Sequence, residues 1–288
     1  MTEKNIKTLV EDIYKLFDDG KLNVKDTDFF TQSLNEFSTA ICSQLVKSLS
    51  EDRRDDTSLR LSAIGKPDRQ LWYRSNLKQK ENSLPASTKI KFLYGHILEE
   101  LLLLLTKIAG HEVKETQKEL DISGVKGHQD AMIDGVLVDC KSASGKSFEK
   151  FKNHRLYEDD PFGYLSQISA YAEANGVDEA AFLAIDKSTG EICLTPVHSL
   201  EMINAKERVE YLKGMVQNNT IPNRCYSDVP DGKSGNYKLP IGCVYCDYNR
   251  KCWADANDGK GLRVFNYAKN KRYLTKVVRE PEVEELYE

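Results

Sequence analysis

The stretch that decides the fold runs Gly127-His128-Gln129-Asp130-Ala131-Met132-Ile133-Asp134-Gly135-Val136-Leu137-Val138-Asp139-Cys140-Lys141. Asp134-Gly135 between two short apolar runs is a strong signal for a β-hairpin closed by a two-residue turn. Such a turn sets the register. Ile133 is expected opposite Val136, Met132 opposite Leu137, Ala131 opposite Val138, and Asp130 opposite Asp139. Side chains alternate along a strand, so Asp139 and Lys141 share a face, and pairing brings Asp130 to it. Two carboxylates directly opposed, roughly 5 Å apart at Cβ, destabilise a hairpin. A divalent cation between them removes that objection, and an ammonium two residues on completes a set suited to metal-assisted hydrolysis. The alternative is a solvated hairpin face whose charges happen to align. The same register puts His128 opposite Lys141, bordering the site. Cys140 alternates to the other face and reads as a packing residue.

Outward from the hairpin, the pattern is mixed α/β. Residues 1–56 read as a helical element, with apolar stripes at Ile6, Leu9, Val10, Ile13, Leu16 and Phe17, and at Phe37, Ile41, Leu45, Val46 and Leu49. The charge run Glu51–Asp56 is expected to be a linker or exposed loop. Residues 57–218 form the expected core. They hold a helix from about Pro67, a strong helix from Thr88 to Ile108 and a strand around Val113–Ile122. The hairpin comes next, then a helix over 161–175, a buried strand at Ala180–Ile185, a strand near Glu191–Pro196 and a helix over Ser199–Asn218. Residues 219–255 are cysteine-rich with few regular signals, and 256–288 read as a charged tail whose end is loose.

The bulk properties fit a globular chain. Of its 288 residues 30% are charged and 40% hydrophobic, enough for a sizeable core. No apolar run approaches a membrane span; the longest, Leu101–Leu105, lies within a helical pattern. Met1–Asn5 lacks the apolar core of a signal peptide, so a cytoplasmic, reducing setting is expected. The net charge of −4 disfavours broad coating of DNA without excluding a local basic groove. Seven cysteines, an odd number with four crowded together, argue for metal binding over a disulfide framework. Cys243 and Cys246 form a C-x₂-C, Cys252 follows, and Cys225 precedes them. Four thiolates in one irregular segment suit a tetrahedral metal or a cluster.

Asp130 followed by Asp139-Cys140-Lys141 resembles the signature of the PD-(D/E)XK nuclease superfamily, and the Gly-His-Gln-Asp form is similar to its RecB-like and phage exonuclease branches. Gly95-His96-Ile97-Leu98-Glu99 resembles the first-helix motif, whose Glu or His reaches the metal. Gln167-Ile168-Ser169-Ala170-Tyr171 resembles the Gln-x-x-x-Tyr motif. These motifs occur in family order between residues 95 and 171. The resemblance implies a restriction-endonuclease-like core, a central mixed β-sheet flanked by helices. It implies Mg²⁺ or Mn²⁺ on Asp130, Asp139 and Glu99, with His96 as the rival of Glu99. Lys141 would steady the phosphate, and Gln167 and Tyr171, one helical turn apart, would face DNA or the lysine, the alternative being an amphipathic helix with Tyr171 in the core. Arg69 resembles an arginine near the DNA path of four-cysteine nucleases. Lys146 and Lys150, after the active strand, suit phosphate contacts or a solvated basic loop equally.

The C-x₂-C-x₅-C run resembles the C-terminal cysteines of iron–sulfur nucleases of the AddB and CRISPR adaptation types. There the fourth cysteine lies far upstream. Here the upstream segment Gly65–Arg69 has none, Cys42 is the sole N-terminal candidate, and Cys225 is the better ligand. That departure leaves [4Fe–4S] and Zn²⁺ both open. The function implied is a metal-dependent DNA nuclease, an exonuclease acting on DNA ends in phage-type replication or recombination. The alternatives are an endonuclease or end-trimming enzyme in defence or repair, and a non-catalytic DNA-binding relative.

Overall fold

Asp134 and Gly135 turn the chain with φ of 48° and 81°, the doubly positive pair that a two-residue hairpin of the I′ type requires. The computed structural model describes residues 4–18, 27–50, 57–77, 86–268 and 270–286. The charge run at 51–56 lies outside the described residues. The helices of seven residues or more, numbered in chain order, are α1 (Leu9–Asp18), α2 (Thr27–Ser50), α3 (Asp68–Asn76), α4 (Ala86–Ile108), α5 (Lys146–Lys152), α6 (Tyr164–Asn175) and α7 (Ala205–Gln217). Strands are β1 (Val113–Lys114), β2 (Glu119–Ile122), β3 (Val125–His128), β4 (Ala131–Ile133), β5 (Val136–Ala143), β6 (Glu179–Asp186) and β7 (Ile192–His198). Further on come β8 (Val229–Pro230), β9 (Tyr237–Lys238), β10 (Arg263–Tyr267), β11 (Asn270–Lys276) and β12 (Glu285–Leu286).

The chain divides into two units, residues 1–65 with 78–213, and residues 66–77 with 214–288. The first is a mixed α/β unit. Its five-stranded sheet has the order β1-β4-β5-β6-β7, with β5 and β6 parallel and the other neighbours antiparallel. The hairpin register is the expected one, Ile133 on Val136, Met132 on Leu137 and Ala131 on Val138. The parallel pair needs a crossover, and α5 and α6 supply it. One sheet face buries Ala131, Ile133, Val138, Cys140, Ala181 and Leu183 against Leu9 and Ile13 of α1 and Leu102 and Leu103 of α4. On the other face Phe182, paired with Asp139 across β5 and β6, meets Phe151 of α5 edge-on, the ring centroids 5.4 Å apart.

Several expectations change. The strand read over 113–122 is two strands in two sheets: β1 joins the main sheet, whereas β2 pairs with β3 alone. His128 therefore faces Glu119 and is exposed, not opposite Lys141. The 199–218 segment is a short 3-10 turn followed by α7, which starts at Ala205. The second stripe lies on one long helix, α2, and is largely unburied: Leu45, Val46 and Leu49 are all exposed.

The second unit has its own five-stranded sheet, β12-β10-β11-β9-β8. The charged tail is thus built into a sheet, because Val264, Phe265 and Leu274 are buried along β10 and β11. This unit also takes α3 from earlier in the chain, with Trp72 and Tyr73 packing on Tyr248.

Candidate active site

The site begins where β4 stops following β5. At Asp130 the backbone turns away, and Gln129 N–H donates to the Lys118 carbonyl instead of continuing the hairpin. By register Cys140 N–H would next meet the residue 129 carbonyl. It donates instead to Oδ2 of Asp130, at 2.6 Å. Asp130 is thereby pinned beside Asp139 by a charge-assisted bond.

Asp139 is fully buried. Its Oδ2 lies 2.5 Å from Lys141 Nζ, and its Oδ1 accepts from Gln167 Nε2 at 3.2 Å. Gln167 is the bridge of the site. Its Oε1 accepts from Lys141 Nζ at 3.3 Å and its Nε2 also donates to the Tyr171 hydroxyl at 3.2 Å. The reversed amide would set NH₂ against the ammonium, so the network allows one orientation. Tyr171 is 2% exposed, and burial, then Asp139, drives its hydroxyl pKa upward. It is core and site wall at once. Lys141 also lies over the Tyr164 ring, 4.8 Å from its centroid, a cation–π contact.

Two close approaches place α6. A Cβ on Gly65 would stand 2.5 Å from Gly163 Cα, at the first turn of α6, and one on Gly127 would stand 2.8 Å from Leu61 Cβ and 3.0 Å from the Tyr171 ring. Gly163, with φ 74°, needs the left-handed region that glycine enters freely.

Glu99 comes from α4, which packs on the Cys140 face of β5. Its Oε1 accepts from Gln117 Nε2 at 2.7 Å, and its Oε2 lies 3.8 Å from His96 Nδ1. Burial, then Glu100 and Asp139, push its carboxyl up to about 7. Asp130 is held well above the usual carboxylate range by burial, then by Asp139 and Glu99. Asp139 is raised by burial, with Lys141 opposing. Burial alone would lower Lys141, but Asp139 and Asp130 more than offset it, and the net direction is upward. The same two carboxylates favour the charged form of Lys141.

Asp139, Lys141, Gln167 and Tyr171 thus form one contact network, and Asp130 and Glu99 lie near enough to perturb it electrostatically. His96 is half-exposed at its rim. Tyr164 and Gln117 were not read from the sequence. Tyr164 precedes Gln167 by three residues on the same helix, a spacing that could have flagged it. Gln117 sits in a loop and carries no local signal. Lys150 is engaged by Asp159, its Nζ donating to Oδ2 at 2.6 Å and to the carbonyl at 2.9 Å, whereas Lys146 is exposed.

Among the described residues no group of three or more His, Cys, Asp or Glu side chains is already arranged to hold a metal ion. The donor chemistry nevertheless fits a hard cation. Asp130 and Glu99 are raised partly by neighbouring carboxylates, a repulsion that a divalent ion relieves. Asp139 Oδ2 is buried and, apart from the Lys141 ion pair, has no hydrogen-bond partner. Oxygen donors of this kind suit Mg²⁺ or Mn²⁺.

In the second unit Cys225, Cys243, Cys246 and Cys252 line one small cavity together with Arg69, Tyr73, Arg224 and Trp253. Burial raises the Cys243 thiol to about 11, the neighbouring cysteines adding to the rise. Trp253 faces the Cys243 thiol and opposes that rise, and the Arg69 guanidinium faces Cys252, two donors beside four thiols. Arg69, expected near DNA, belongs to this wall. Its guanidinium donates to the Pro222 carbonyl at 2.9 Å and to the Tyr73 hydroxyl at 3.2 Å.

No family model and no curated protein matches the sequence. Among solved structures, SSO0001 is similar at 16% identity and TM-score 0.42, over 73% of this chain and 93% of that one. LHK-Exo in complex with dAMP is similar at 14% identity and TM-score 0.37, over 57% and 91%. A phage related exonuclease from Haemophilus somnus 129PT is similar at 14% identity and TM-score 0.36, over 56% and 90%.

Proposed function

We propose that this chain is a metal-dependent DNA nuclease, an exonuclease that hydrolyses phosphodiester bonds from DNA ends. One observation carries the reading: buried Asp139, paired with Lys141 and bridged by Gln167 to Tyr171, beside Asp130 at the mouth of a hairpin. Asp130 and Glu99 beside it are raised partly by neighbouring carboxylates, and such perturbed groups cluster at functional sites. The choice of DNA ends rests on the motif resemblance to the phage exonuclease branch.

Asp130, Asp139 and Glu99 would hold the ion. A divalent cation there supplies charge neutralisation at the phosphate and makes a water acidic enough to attack at neutral pH. Lys141, kept protonated by its neighbours, meets the negative charge that grows on the phosphoryl oxygens. Gln167 fixes the ammonium and Asp139 relative to each other, so neither reorganises during the reaction. Tyr164 covers the ammonium and limits its access to water. Lys146, exposed after the active strand, would make a phosphate contact, a role that carries no sequence information. The four cysteines would hold a [4Fe–4S] cluster or Zn²⁺, and Arg69 and Trp253 would face the negative charge of the ligating thiolates with N–H donors. Such a centre staples the second unit.

End-labelled linear DNA and closed circular DNA, each with Mg²⁺ and with EDTA, test the reading beside Asp139→Ala and Lys141→Ala. Metal-dependent loss of linear DNA alone, absent in both folded variants, is expected. Cleavage of the circle would replace the exonuclease by an endonuclease. DNA binding without cleavage would leave a non-catalytic relative of the fold.

A further inference from the structure

Gln117 sits in the loop between β1 and β2 with φ of 53°, the left-handed region that a long side chain rarely occupies. Glu115, two residues before it, is left-handed as well, with φ of 50°. Strain of this kind persists where the surroundings over-determine it, and it gathers at functional sites. Two bonds over-determine Gln117. Its backbone N–H donates to the Asp130 carbonyl at 3.1 Å, and its side-chain Nε2 donates to Glu99 Oε1 at 2.7 Å. One residue therefore ties the main chain of one carboxylate-bearing position, between two strands, to the side chain of another, on helix α4. Its neighbours repeat the arrangement: Gln129, one residue before Asp130, donates from Nε2 to the Glu115 carbonyl at 3.0 Å.

We infer that Gln117 is a positioning residue, which fixes the Glu99 carboxylate relative to Asp130 so that Oε1 is occupied and Oε2 is the oxygen left to a divalent cation. This inference rests on the proposed metal site. The alternatives for Gln117 are poorer. A loop needing only a left-handed residue would be served better by glycine or asparagine. Gln117 is itself exposed, and a polar side chain needed only for solubility has no need to hold a carboxylate that is 16% exposed.

The strained backbone supplies a clean test. Gln117→Gly relaxes the φ and removes the amide, and Gln117→Met keeps the length and removes the donor. Binding of Mn²⁺ alone, followed calorimetrically, is compared among wild type, both variants and Asp139→Asn, with thermal unfolding in EDTA alongside. Partners that orient metal ligands typically contribute about 10–100-fold in metal affinity. The expected result is Mn²⁺ binding at least about ten-fold weaker in both Gln117 variants, with the Gly variant unfolding no earlier than wild type. In cleavage, higher Mn²⁺ should restore most of the rate, so the metal requirement shifts more than the maximal rate. In a Glu99→Gln background, Gln117→Met should add little, because the two act as a unit. Mn²⁺ binding at wild-type strength in the Gly and Met variants, while Asp139→Asn has lost it, overturns the Gln117 inference and leaves the metal site standing. Equal binding by wild type and Asp139→Asn instead overturns the metal site, and the positioning role with it.

Discussion

Glu99→Gln should change how the metal-free protein responds to pH. The Glu99 carboxyl rises from an ordinary 4.5 to about 7 in the folded chain. Between those values the folded protein keeps a proton that the unfolded chain has released. The contribution to stability is therefore fully present below about pH 4.5 and lost as pH climbs through about 7. At roughly 1.4 kcal/mol for each tenfold change in proton affinity, the loss is about 3 kcal/mol. The side chain is only 16% exposed, so solvent screening removes little of it. Glu99, Asp130 and Asp139 influence one another and release their protons as a group. The quantity to read is therefore the difference between wild type and variant. Urea unfolding in EDTA at pH 4.5 and pH 8 measures it. Wild type should lose about 3 kcal/mol more than Glu99→Gln across that interval. Parallel losses would refute the placement of Glu99 among buried carboxylates. Added Mg²⁺ at pH 8 should restore stability to wild type by mass action and much less to the variant.

Other outcomes follow from particular contacts. Tyr164→Leu removes the ring beneath Lys141 and should slow cleavage several-fold, whereas Tyr164→Phe keeps the ring and should stay near wild type in steady-state kinetics. Gly65→Ala drives a methyl into the Gly163 backbone and should cost about 1–3 kcal/mol in urea unfolding. Cys246→Ser should lower both bound iron or zinc, read by elemental analysis, and the unfolding midpoint. Cys42→Ser, at an exposed position, should change neither.

The hairpin was legible because Asp134-Gly135 permits one tight turn, and the turn dictates every pair up to Ala131–Val138. Legibility stopped where the chain departs from the ladder at Asp130, since extrapolating the register misplaced His128. A second turn carried a signal of its own: Ser123 and Gly124 both have positive φ, at 53° and 83°, and close β2 on β3. The Gln167 and Tyr171 pair followed from helical spacing. Gln117 did not, because its role arises from two bonds to residues distant in sequence. The tail hid its sheet behind charge, for Arg272 lies over the Tyr267 ring, 4.1 Å from its centroid, and so covers apolar surface with a cationic stem. The assignment of α3 to the second unit is likewise non-local, since it rests on contacts with residues distant in sequence such as Tyr248 and Pro222.

Asp130 is more than a ligand candidate, because its carboxylate replaces a backbone carbonyl as the acceptor for Cys140 N–H. Alanine there would strip the charge and orphan a backbone donor together, so alanine scanning would overstate the share of Asp130 in the chemistry. Asparagine keeps the acceptor while removing the charge, which makes it the better choice for a DNA-trapping variant under the proposed function. The same logic constrains divergence. If the chain is a nuclease, a descendant that gave up cleavage but kept its shape would be free to change residues 139 and 141 first. Position 130 would hold on longest to a short side chain with an oxygen at its tip.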